Sequence, residues 1–257
     1  MTAPYIRTIR KDPAILFRKA EFGLASAFGS RDYRRFVILA RSRTGSNLLV
    51  SLINRHPRLH CVGEIFKDRL DRDLDALMER AFPRYPRRIE AGGVKVFYYH
   101  PRDDGSGELW RRLSAIKGLS VIHLKRHNLL RSIVSQRIAQ STGEWRSVDG
   151  ETSSRSKSVT LPADELRTLF ERVRHWERDA EKRFLHHPVL ELSYEALAQD
   201  MAGTLRQVTD FLQVEAIHPE THLSRQNPEP LSELVSNLEN LRDAFSDTEW
   251  SWMFDER

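Results

Sequence analysis

The chain has 257 residues, 40% of them hydrophobic, enough for one full-sized core and a single domain over 1–257. Its lone cysteine, Cys61, excludes an intrachain disulfide and any cysteine-rich metal cluster, and fits a reducing, cytoplasmic setting. Lys and Arg total 41 against 36 Asp and Glu; the resulting +5 suits an anionic ligand or acceptor but does not by itself choose between that and nucleic acid.

Residues 1–35 read as an N-terminal helical extension. The segment Pro13 to Phe28 is interrupted by Arg18, Lys19 and Glu21, so it neither spans a membrane nor reads as a signal. It can lie on a membrane surface as a basic amphipathic helix, a peripheral contact, or pack against the domain; packing is the expectation. Phe36 to Ala40 (FVILA) is a continuous apolar run, as in a strand buried on both faces, and Leu48, Leu49, Leu52 and Ile53 follow at helical spacing. Asp71 to Gly93, with Pro83 and Pro86, reads as a loop whose Arg84, Arg87 and Arg88 are solvated. Val94 to Tyr99 and Val121 to Leu124 repeat the strand signal, the second leading into a helix from Leu129 to Ala139. Arg146 to Pro162, rich in Ser, Thr, Gly and charge, reads as a mobile loop on the acceptor side. Helices over Leu166–Phe184 and Leu205–Leu212, a fourth strand at Val189–Leu192 and a last helix over Leu231–Ala244 complete the alternation. That order favours an α/β domain, a mainly parallel sheet with helices on both faces.

Arg41-Ser-Arg-Thr-Gly-Ser-Asn47 joins the first strand to its helix, where backbone N–H groups and the helix dipole favour a bound phosphate. Arg43 adds a permanent cation, Gly45 allows close approach of the backbone, and Thr44, Ser46 and Asn47 bring hydrogen-bonding side chains. A plain glycine turn with a helix-capping serine is the competing reading. The triphosphate-binding pattern G-x-x-x-x-G-K-[ST] is absent: the cation precedes a single glycine. Val121 to Leu124 ends in Lys125 and Arg126 instead of a metal-holding Asp, so no metal is expected.

The run F-V-I-L-A-R-S-R-T-G-S-N-L-L, followed by S-L-I-N-R-H-P, resembles the phosphosulfate-binding loop of sulfotransferases, especially bacterial carbohydrate and nodulation-factor enzymes. The resemblance implies a P-loop NTPase-like fold and the donor 3′-phosphoadenosine 5′-phosphosulfate (PAPS), leaving adenosine 3′,5′-bisphosphate as product. It also implies donor contacts from Arg43, Thr44, Gly45, Ser46 and Asn47. The stretch K-R-H-N-L-L-R-S-I-V-S-Q-R-I-A resembles the family's second signature, which implies that Arg126 and Ser135 bind the 3′-phosphate. Their spacing is one residue longer than usual in the family, which leaves Lys125 and Ser132 open for the same role. V-L-E-L-S-Y-E-A-L, T-L-R-Q-V-T-D-F-L-Q-V and R-Q-N-P-E-P-L resemble the late strand, helix and nucleotide-closing loop, and from the last Arg225 is carried over as a phosphate contact.

Transfer to an alcohol requires a base and positive groups around the sulfur. Glu64, in H-C-V-G-E-I-F, is the candidate base, in a region where the carbohydrate branch commonly uses a Glu; His100 is the alternative. Lys95 lies inside an otherwise apolar strand, where either a bound sulfonate or an internal salt bridge must offset its desolvation. Trp145, His123, Trp250 and Trp252 read as core residues. The resemblance implies a small-molecule donor and a carbohydrate or glycolipid acceptor; no nucleic-acid module is recognisable, and oligomeric state is left open. Competing readings are a P-loop kinase or nucleotide phosphotransferase, and a non-catalytic anion or nucleic-acid binder.

Overall fold

The apolar runs become the inner strands of a parallel sheet. The computed structural model describes residues 13–69, 72–143, 158–217 and 229–255. In chain order the elements are α1 (Pro13–Phe28), β1 (Arg34–Ala40), α2 (Ser46–Arg55), β2 (Leu59–Val62), α3 (Leu74–Ala81), β3 (Ala91–Phe97), α4 (Glu108–Ser114) and β4 (Ser120–Lys125). They continue with α5 (Leu129–Thr142), α6 (Ala163–Arg183), β5 (Val189–Ser193), α7 (Tyr194–Gln199), α8 (Met201–Phe211), α9 (Leu231–Leu234), α10 (Leu238–Phe245) and a 3₁₀ turn at Ser251–Phe254. The five strands lie in the order β2-β3-β1-β4-β5 and every pairing is parallel.

β1 is central, and its alternation divides the core. Phe36, Ile38 and Ala40 pack with Leu49, Leu52 and Ile53 of α2 and with α7 and α8, while Val37 and Leu39 pack on the other face with α3, α4 and the end of α6. Each such side chain contributes about 1.5–3 kcal/mol by leaving water. A third cluster joins α5, α6, α9 and α10. β3 approaches β1 closely because Gly93 has no side chain: a Cβ there would stand 2.5 Å from the Phe36 ring. Side chains cap the helices that leave the strands, with Asn128 accepting from Arg131 N, Ser193 from Ala196 N and Asp200 from Gly203 N. Because all strands run one way, the residues after β1, β2, β3 and β4 emerge at the same edge, where α/β folds bind ligands.

Several boundaries differ from the sequence reading. The 71–93 stretch is not a single loop: it holds α3, started by the Asp73 cap, and the beginning of β3. β3 ends at Phe97, so Tyr98, Tyr99 and His100 lie in the turn beyond it and not on the strand. The last helix breaks in two because Val235 adopts extended geometry and bridges Val159. Arg88 is not merely solvated, since its guanidinium grips both oxygens of Glu21 at 2.8 and 2.6 Å. Trp252 is 47% exposed and not core, whereas Trp250 and His123 are buried. Trp145 and residues 146–157 of the loop expected on the acceptor side lie outside the described residues. Among the described residues no helix is long and apolar enough to cross a membrane.

Candidate active site

The loop after β1 turns through two left-handed residues, Arg43 with φ 66° and Gly45 with φ 77°. Thr44 Oγ1 donates to Arg41 O at 2.8 Å, closing the loop on itself just before Ser46 opens α2. Gly45 is required on two grounds: the backbone conformation, and the Tyr194 ring, whose Cδ2 would sit 2.6 Å from a Cβ. Tyr194 carries on its face the Arg126 guanidinium, 4.2 Å from the ring centroid, and Arg126 Nη1 donates to Arg43 O at 2.9 Å.

Arg43 reaches across to α5, where its Nε and Nη2 both donate to Ser135 Oγ at 2.9 and 2.8 Å. Arg43 thus meets Ser135, and Arg126 donates to the backbone of the loop, so both residues expected at the 3′-phosphate are joined to Arg43. One turn earlier on α5, Ser132 Oγ accepts from Arg41 Nη1 at 2.5 Å, and Gln136 Oε1 accepts from Arg41 Nη2 at 2.6 Å. Ser132, Ser135 and Gln136 share one helix face by their spacing of three and four. Lys125, the other candidate for this corner, is directed elsewhere, to Glu181 at 2.8 Å and Glu191 at 2.6 Å.

Arg41 was not singled out from the sequence. It is 5% exposed, all its hydrogen-bond partners among the described residues are neutral, and burial pushes its guanidinium down to about 10. Arg43 is lowered by burial as well. A buried cation with neutral partners draws an anion to it.

On the other side of β1, Lys95 projects from β3 with a side chain 3% exposed. Its Nζ donates to Asn47 Oδ1 at 2.6 Å and pairs with Glu64 Oε1 at 2.8 Å. Of the two expectations for Lys95, the internal salt bridge is the one seen, with a second contact to the loop after β1. Glu64 stands just past the end of β2, a short strand not recognised in the sequence, and is 30% exposed at the side chain. His100 is 2% exposed, its Nδ1 accepts from Phe97 N at 3.2 Å, and burial pushes it down to about 4. It is therefore neutral with its proton on Nε2, and its remaining nitrogen donates instead of accepting. Tyr99 and Trp176, both half-buried, face each other beside His100 with ring centroids 5.4 Å apart.

Among the described residues one grouping has metal-ligand residue types: His123, Glu181 and Glu191, with ligand atoms within 4.8 Å of one another. Lys125 lies between the two carboxylates and its ammonium pairs with both. Arg225 lies outside the described residues.

A model of the sulfotransferase family matches residues 114–219. Nodulation protein H of Rhizobium meliloti (strain 1021) is 29% identical over 235 residues, covering 86% of this chain and 94% of that protein. A sulfotransferase from Alicyclobacillus acidocaldarius superposes with a TM-score of 0.46 at 18% identity, over 82% of this chain and 90% of that one. A mouse sulfotransferase complexed with PAP gives 0.41 at 17% identity, over 76% and 64%. A parallel sheet whose central strand runs through an arginine- and glycine-containing loop into a helix gives this chain a P-loop-type α/β fold. In these comparisons the chain is similar to sulfotransferases, over residues 114–219 to the family model and over most of its length to nodulation protein H.

Proposed function

We propose that the chain moves a sulfuryl group from PAPS to a hydroxyl of a carbohydrate or glycolipid, within one domain acting in the cytoplasm and without a metal ion. The observation that carries the reading is the Lys95 bridge: one buried ammonium holds Asn47 of the anion loop and Glu64 of the acceptor side. A sulfuryl group held at the loop thus has a cation and a carboxylate beside it. In the proposed step the acceptor oxygen attacks sulfur, the sulfur–oxygen bond to the 5′-phosphate breaks, and the hydroxyl proton passes to Glu64. Lys95 and the loop N–H groups stabilise the charge on the leaving oxygen. Arg41, Arg43, Arg126 and Ser135 hold the phosphates, with Arg225 as a further proposed contact. The acceptor class is supported by the loop's resemblance to carbohydrate-sulfating enzymes and by the Tyr99–Trp176 pair, whose half-buried faces suit a sugar ring.

Calorimetry with adenosine 3′,5′-bisphosphate in excess chelator tests the donor site. Binding is expected without magnesium, and Arg43→Ala and Arg126→Ala should each weaken it roughly tenfold or more by removing a charge-assisted contact. A strict magnesium requirement, or parental affinity in both variants, would overturn the reading. Transfer of labelled sulfate from PAPS to a panel of oligosaccharides and glycolipids tests the acceptor class.

A further inference from the structure

The described part of helix α1, residues 20–28, presents apolar residues outward. Ala20, Gly23, Leu24, Ala27 and Phe28 fall at the spacing of one helical face, and all five are exposed, Leu24 at 68% and Phe28 at 86%. The opposite side anchors the helix: Glu21 is gripped by Arg88, Phe22 packs on His60 and Tyr85 with centroids 4.7 and 5.7 Å away, and Ala25 is buried. Among the described side chains Glu21 therefore points in beside Phe22 and Ala25, while Leu24 and Phe28 point to solvent.

Cations border this face. Arg84 Nη1 donates to Gly29 O at 3.2 Å, which sets its guanidinium at the end of the helix next to Phe28. Ser30 bridges Tyr85, which keeps Arg84 beside the helix end, and Arg87 follows two residues after Tyr85. Both arginines are exposed and neither has a carboxylate partner among the described residues. In sequence, residues 1–35 hold eight Lys and Arg against three Asp and Glu, an excess as large as the net +5 of the whole chain. An apolar stripe bordered by uncompensated arginines matches a bilayer carrying anionic headgroups, with hydrocarbon under the stripe and phosphates at the rim.

We propose that the outer face of α1, from Ala20 to Phe28 with Arg84 and Arg87, docks the protein on an anionic phospholipid surface. This surface does not depend on the donor or acceptor assignments. α1 leads into the start of β1, whereas the candidate site lies toward and beyond the far ends of the strands, roughly 10–20 Å further along the sheet. The helix anchors the molecule and leaves the cleft uncovered.

Sedimentation of the full chain with phosphatidylcholine vesicles, with and without a minority of phosphatidylglycerol, tests the proposal. Binding is expected to the anionic vesicles, weakening as salt is raised. Leu24→Glu/Phe28→Glu and Arg84→Glu/Arg87→Glu should each lower partitioning roughly tenfold or more, with unchanged thermal midpoints because these side chains are exposed. Binding of adenosine 3′,5′-bisphosphate should be unaffected, which separates this proposal from the donor-site reading. Failure of the parent to bind anionic vesicles, or parental binding by the apolar double variant, would overturn it. So would light scattering that showed a dimer dissociated by Leu24→Glu/Phe28→Glu, since a second copy would then cover the face.

Discussion

Glu64 Oε1 accepts from Lys95 Nζ at 2.8 Å, so a proton taken from an acceptor hydroxyl goes to the other oxygen. Glu64→Gln keeps the size of the side chain and an oxygen for Lys95 but cannot take a proton at neutral pH. Single-turnover transfer should fall roughly a hundredfold or more while donor affinity stays near parental. His100 accepts from Phe97 N through Nδ1, an acceptor role that the Asn carbonyl can take over, so His100→Asn should retain most of its turnover. Normal turnover in Glu64→Gln together with collapse in His100→Asn would assign the base to His100. Glu64, Lys95 and Arg43 stand out in the sequence because each is a chemical exception in its context, an acid or a cation where the neighbours are apolar or small. Arg41 does not, because an arginine after a strand reads equally as a solvated end, and the groups that hold it inside are 91 and 95 residues away. The same distance hid the pairing of Ser135 with Arg43: helix spacing places the serine on a face, but not opposite a particular arginine.

Between elements, the loop that carries Glu64 is fastened to the turn after β3. Asp68 takes Nε and Nη2 of Arg102, both at 2.7 Å, and Arg69 Nη1 donates to Asp104 Oδ2 at 2.8 Å. Arg69 N donates to Asp103 Oδ1 at 2.6 Å, and Arg102 N to Lys67 O at 3.1 Å. Breaking the Asp68 pair by Asp68→Asn should loosen Glu64 and lower turnover severalfold, with donor binding unchanged. The swapped pair Asp68→Arg/Arg102→Asp should recover part of the loss, a rescue that general destabilisation would not produce. At the other loop, Gly45→Ala meets both the Tyr194 ring and a left-handed backbone, the latter alone costing about 1 kcal/mol. Donor affinity should fall roughly tenfold or more; in Gly45→Ala/Tyr194→Ala relief of the overlap should raise the melting temperature above that of the single variant. An unchanged affinity in Gly45→Ala would mean that the loop does not hold the donor. Elements with long apolar runs were legible: β1, α2 and β4 lie where the sequence puts them, as does the core of α6. β2 was not, because four residues including His60 and Cys61 carry too little pattern, and α3 was masked by flanking charges and prolines.

The parallel alternation and the helices on both faces were readable at the scale of the whole molecule, but the order β2-β3-β1-β4-β5 was not, since nothing local says which neighbour a strand will choose. That order matters for the site, because it sets Lys95 of β3 and Arg126 after β4 on opposite flanks of the same loop. It also buries two histidines, and with them a pH dependence of stability. His100 and His123 are each pushed from 6.5 down to about 4 by burial, the first among Glu64, Lys95, Arg102 and Asp68, the second beside Lys125, Glu181 and Glu191. His123 is further fixed by Tyr98, whose hydroxyl lies 2.8 Å from Nε2. Between about 6.5 and 4 the unfolded chain takes up protons at these positions and the native chain does not, so stability falls as pH falls through that window and levels off below it with respect to these groups. The shifts limit the loss to about 3 kcal/mol for each histidine. Melting followed by circular dichroism from neutral pH to about 4 should therefore show a steeper decline in the parent than in His100→Asn/His123→Gln, the difference between the two curves removing the contribution of the carboxylates common to both. Parallel curves would mean that burial does not lower the two imidazoles in the native state.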